Sequence, residues 1–159
     1  MLDNKIKEYL MDLLKVFLIS MIPVLELRAA IPLGITTFNL PAWETLLIAV
    51  LGNLAPIPFL ILFGEKVLNY LSKFEKIGKP FRFIIEHGEK KAKKVVGALF
   101  LGLLLFVAVP LPGTGAWTGA LIAITLRLKV KEAFPAIVLG VICAAIIMTL
   151  VTLGLVTIF

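Results

Sequence analysis

Two charges, Glu26 and Arg28, stand in the otherwise apolar stretch MIPVLELRAAIPLG, between Pro23 and Pro32. A charge near the centre of a bilayer costs about 2.5–3.5 kcal/mol on insertion scales, so it is kept only where it faces a partner, water or a substrate. The two groups offer complementary chemistry. Arg28 is planar, permanently charged and suited to two-point contact with a phosphate, whereas Glu26 can gain and lose a proton. Together they would hold an anionic group at Arg28 and couple its loading or release to Glu26. The structural alternative is a fixed ion pair that closes a break in the chain, although uncharged residues would do that at lower desolvation cost. Two positions apart, the side chains point to different faces of a regular helix. An unwound backbone is therefore expected to bring them into one cavity.

A second candidate carries no charge: PLPGTG at 110–115. Gly113 and Gly115 are expected to leave backbone N–H groups open at the start of a helix from Ala116, where aligned peptide dipoles attract anions. Gly113, Thr114 and Gly115 with Arg28 then form a phosphate seat, or else PLPGTG only turns the chain. Gly115, Gly119 and Ala123, spaced four apart, read as a close-packing ridge, as do Ala30 and Gly34. Trp117 either lines a pathway or packs. Asn53, with Pro56 and Pro58, interrupts an apolar helix where an amide and freed carbonyls could coordinate an ion or water, or where the helix simply bends. Pro23 and Pro32 frame the first break and Pro110 and Pro112 the second. Arg127 is the first charge after that second break and a further candidate for the cavity.

These residues need a membrane scaffold. Of 159 residues, 60% are hydrophobic and 16% charged, and the mean hydropathy of +1.07 lies outside the range of soluble domains. The expectation is a single all-α integral membrane domain, dimeric because few spans cannot surround a wide pathway. Asp3, Glu8 and Asp12 among the first lysines argue against a cleaved signal peptide. A span needs roughly 20 apolar residues, which 45–64 and 134–159 supply as transmembrane helices. Residues 95–126 are 32 uncharged positions, too many for one helix, and the break at 110–115 divides them into two short arms, a re-entrant hairpin. Residues 9–22, a break at 23–32 and a short arm at 33–40 repeat that plan, 87 positions earlier from Pro23 to Pro110.

Charge sets the orientation. The 65–94 segment holds nine Lys and Arg against four acids, net +5, interleaved with Leu68, Leu71, Phe74, Phe81 and Phe83. Arg127, Lys129 and Lys131 form a second basic cluster. Placing both in the cytoplasm makes the units, 9–64 and 95–159, an inverted repeat, the plan of many secondary transporters. The basic segment could also gather anionic lipid. Trp43 reads as an interfacial anchor. His87 has no companion ligands, and lone Cys143 excludes a disulfide or cysteine cluster, so no metal or cofactor is expected. No nucleophile–base pair or phosphate loop suggests an enzyme, and the basic balance reflects topology rather than nucleic-acid binding.

ELRAAIP at 26–32 and PLPGTGAWTGALIA at 110–123 resemble the signatures of the small multidrug export proteins, small bacterial and archaeal membrane proteins related to the DedA superfamily. The resemblance covers nearly the whole chain. It implies a DedA-like fold of two opposed re-entrant hairpins plus spanning helices. From the wider superfamily it implies proton-linked transport and, for some members, recycling of undecaprenyl phosphate across the cytoplasmic membrane. DedA-like proteins usually carry acids in one half and arginines in the other, whereas here the second hairpin has no charge before Arg127. Three functions compete: proton-coupled transport of an anionic carrier lipid, export of small cationic compounds by proton antiport, and a non-transporting membrane scaffold. Arg28 separates the first two, because it attracts a phosphate and repels a cation.

Overall fold

The computed structural model describes residues 2–71, 96–111 and 113–158, and every element in them is helical. The basic segment beyond Leu71, with His87, and the candidate Pro112 lie outside the described residues. The first unit comprises α1 (Leu2–Met21), α2 (Glu26–Pro32) running on as a π-helical turn (Leu33–Thr37), α3 (Ala42–Leu54) and α4 (Ile57–Leu71). The second comprises α5 (Val96–Ala108), α6 (Ala116–Thr125) and α7 (Val130–Ile158). The order of helix, break, short helix and long apolar helix thus occurs in both halves.

Proline and glycine place most boundaries. α1 ends two residues before Pro23, α3 follows Pro41, and α3 gives way to α4 around Pro56. Pro58 falls in the first turn of α4, where the missing N–H has no helical partner to lose. The first break is shorter than 23–32: residues 26–32 are α2, and Pro32 lies inside the helix instead of bounding the break. Its missing N–H is absorbed by the wider π-helical turn that follows, and Leu33 N–H reaches back to the carbonyls of Ala29 and Ala30. The expected arm at 33–40 is accordingly only the end of one continuous helical stretch from Glu26 to Thr37.

Two stretches, Ala42–Gly64 across the α3–α4 bend and Val130–Leu155 within α7, are long and apolar enough to cross a membrane. The outer surface is apolar as well: Val24 is 86% exposed, Phe59 68% and Leu150 64%. Apolar surface of this extent together with two spanning stretches makes this a membrane protein. Two polar side chains inside α7 are satisfied locally. Thr149 donates to the Ala145 carbonyl at 2.8 Å and Thr152 to that of Met148 at 2.7 Å.

Close backbone approach holds the bundle together. Gly52 of α3 lies on the Phe17 carbonyl of α1, and Ser20 of α1 donates to the Ala49 carbonyl of α3 at 2.5 Å. In the second half a Cβ on Gly140 would come within 2.8 Å of the Leu104 carbonyl, and one on Gly119 within 2.7 Å of Val107. Gly119 and the fully buried Ala123 therefore pack as the small-residue ridge. α2 lies between the halves, against α1, α3 and α7.

Gly52→Ala forces a methyl group onto the Phe17 backbone, which cannot swing aside. The expected loss is about 1–3 kcal/mol, read as a lower unfolding midpoint in detergent. Gly102→Ala, in open space on α5, should leave the midpoint unchanged or raise it.

Candidate functional site

Glu26 is the first residue of α2 and only 4% exposed. Its φ of 50° is a left-handed value, uncommon for a residue with a side chain and typical of strained functional positions. Its backbone N–H donates to the Ile22 carbonyl at 2.9 Å, which bridges the break. Its carboxylate reaches the other half of the molecule and accepts the backbone N–H of Trp117 at 3.1 Å.

That N–H belongs to the first turn of α6, one of the donors a helix start leaves without a partner. α6 has no side-chain cap of its own, because its N-cap is Gly115. Gly115 is required twice over. Its φ of 120° suits glycine, and a Cβ there would overlap the Glu26 carboxylate. The start of the helix after PLPGTG, expected to stand open, is thus met by a carboxyl group from the same chain.

Arg28 binds the other side of that turn. Its Nη1 donates to the Leu111 carbonyl and its Nη2 to Thr114 Oγ1 at 2.7 Å. Thr114 Oγ1 also accepts the Leu111 N–H at 3.2 Å, and its proton faces the carbonyls of Val109 at 2.6 Å and Leu111 at 2.8 Å. Trp117 adds a third link, its indole N–H donating at 3.2 Å to the carbonyl of Met21, the last residue of α1. It is a strap as well as a packing residue.

Glu26 and Arg28 thus share one crevice, with the backbone departing from the helix at Glu26 itself: each contacts the 109–117 turn and not the other. With them the crevice is lined by Asn53, Val107, Ala116 and Ala144, among others. It contains about 180 Å³ between atoms but is too narrow to seat a water molecule. Asn53, in the last turn of α3, is fully buried and neither atom of its amide has a hydrogen-bond partner.

Of the other candidates, Gly113 (φ 86°) is in open space, Pro110 is half-buried in the turn and Pro23 is exposed. Arg127 follows the far end of α6, about 15 Å of helix away, and does not line the crevice. Among the described residues no three His, Cys, Asp or Glu side chains gather as a metal site. Sequence reasoning missed the acceptors on the main chain, Met21 and Leu111, and the backbone role of Trp117. The missing cap before Ala116 was the available signal.

Residues 26–147 match the family model described as "Putative small multi-drug export protein". The match covers most of the chain, and the protein belongs to that family. No curated protein and no solved structure matches it.

Gly115→Ala should lower the unfolding midpoint steeply, since it meets both the φ constraint and the carboxylate. Thr114→Val removes one charge-assisted bond to Arg28, and is expected to cost about 1.5–3 kcal/mol. A Gly115→Ala protein as stable as wild type would mean that Glu26 does not sit on the α6 start.

Proposed function

We propose that this member of the family is a transporter of the cytoplasmic membrane that moves an anionic substrate, a lipid phosphate in the first place, and couples the movement to protonation of Glu26. One observation carries the reading: the α6 start, beside Arg28, holds the carboxylate of Glu26. A helix N-terminus next to a guanidinium is a seat for an anion, and here an internal anion fills it. A phosphate group competes for the same donors.

Protonation removes the charge that makes the Glu26 bond strong, because charge-assisted hydrogen bonds are roughly twice as strong as neutral ones. The neutral side chain gives up the N–H groups of α6, the crevice opens, and the substrate anion takes the seat with Arg28 as its second contact. Loss of the proton reverses the exchange. The broken helices enter from opposite faces as an inverted, DedA-like repeat and meet at this turn, two copies of the chain form the working unit, and the partners are protons and membrane lipids. The apolar outer surface suits a substrate that stays partly in lipid.

The family description favours a second reading, export of small cationic compounds by proton antiport. The surroundings of Glu26 weigh against it: the positive end of α6 and Arg28 both repel a cation. A non-transporting scaffold would tolerate neutralising both charges.

The test is translocation of labelled polyprenyl phosphate in proteoliposomes, with and without a pH gradient. Wild type should transport, Arg28→Ala should lose at least tenfold, and Glu26→Gln should lose its response to the gradient. If wild type ignores the lipid phosphate and exports a cationic dye against a proton gradient, the second reading replaces the first.

A further inference from the structure

Gly102 stands in the middle of α5 with nothing within 4 Å of where a side chain would begin. Glycine weakens a helix interior relative to alanine. At Gly119 and Gly140 the close approach of a neighbour explains it. At Gly102 the missing side chain opens a groove instead. Ala98, Gly102 and Phe106 of α5 face Ile122 and Leu126 of α6 across about 180 Å³, lined by apolar residues throughout. A second hollow of about 180 Å³ continues it past Leu99 and Leu128 to Phe100, Pro135 and Lys131.

The packing gives the groove its direction. Gly140 lies against Leu104 and Val107, and Pro135 lies beside Leu99 and Phe100, so α5 and α7 run the same way. The inner end, at Phe106 and Ile122, is next to Val107, which lines the Glu26 crevice. The outer end is Lys131, in the first turn of α7. From Ala98 to Phe106 the groove follows α5 for about 12 Å.

We propose that this groove seats one acyl chain of an anionic phospholipid, with the lipid's phosphate at Lys131. The proposal goes beyond the transport reading and stands without it: this lipid is a resident of the protein's wall and not the cargo at Glu26. Shape and charge complementarity carry it. An apolar groove facing a bilayer is filled by chain methylenes, because a void forfeits dispersion contacts. Basic pockets beside membrane helices hold anionic headgroups. At the outer end Arg127, Lys129 and Lys131 stand against one acid, Glu132. The Glu132 carboxylate is turned to the Lys129 backbone N–H, which it accepts at 3.1 Å. Lys131 is exposed and forms no ion pair among the described residues. The 65–94 segment is a poor occupant, since its net charge of +5 has the same sign as the mouth.

The test is native mass spectrometry of the full chain, delipidated in detergent and titrated with phosphatidylglycerol or phosphatidylcholine of the same chains. Wild type should bind one phosphatidylglycerol per chain ahead of further adducts. Lys131→Gln should weaken that binding about fivefold and leave phosphatidylcholine unaffected. Gly102→Phe fills the groove from a position with free space, and should lose both lipids at this site while keeping the unfolding midpoint. Ala98→Phe plugs the same groove one turn away, so a folding defect in either plug is checked with the other. Lysophosphatidylglycerol, with one chain, should compete, and glycerol 3-phosphate, with none, should not. If both plugged variants bind lipid as wild type does, the groove is not the site. If Lys131→Gln leaves the binding of phosphatidylglycerol unchanged, the phosphate is held elsewhere. If plugging turns a dimer into a monomer with lipid binding unchanged, a second copy occupies the groove. Each of these three results overturns the proposal.

Discussion

The Glu26 carboxylate is buried among apolar side chains in a protein surrounded by lipid, and its need for donors organises the centre of the molecule. Burying an isolated charge is prohibitive, whereas a carboxylate held by peptide N–H groups and close to a guanidinium is tolerable. Helix α6 supplies the N–H, provided that nothing bulkier than hydrogen stands at 115. The turn that ends at Gly115 must then stay in place, and Arg28 holds it through Leu111 and Thr114. Trp117 ties the same turn to the end of α1. The two halves are joined largely by side chains that meet main-chain groups, Glu26 and Arg28 from the first half and Trp117 from the second.

That division of labour explains what the sequence could reveal. Glu26 and Arg28 announce themselves because charge is rare in such a run, and the 110–115 turn because it concentrates proline and glycine. The long apolar helices and the second break follow from run length and composition. The extent of the first break does not, because proline is ambiguous inside a membrane: Pro23 marks a break, whereas Pro32 is absorbed by a π-helical turn. The partners of the charges were hidden as well. Peptide groups are the same at every position, so no residue type advertises that Leu111 and Met21 offer their carbonyls. Membership of the small multi-drug export family gives the class, while the proposal of an anionic substrate rests on this geometry.

The polar residues fall into two kinds. Thr149 and Thr152 return their hydroxyl protons to their own helix and add little polarity to the bundle. Asn53 cannot do so, because its amide reaches no main-chain partner. Counting polar residues would rank these positions together, although they differ in whether their own helix can serve them. Hydrogen-bond satisfaction separates polarity that serves folding from polarity kept for another purpose.

Helix α7 runs for 29 residues, about 44 Å at 1.5 Å per residue, against a hydrocarbon layer of about 30 Å. Such a helix must lean, or leave its ends among the headgroups. Its midsection contributes Val141 and Ala144 to the wall opposite Glu26. Any change in the lean of α7 would carry Val141 and Ala144 with it, so the tilt of this helix and the width of the crevice are not independent.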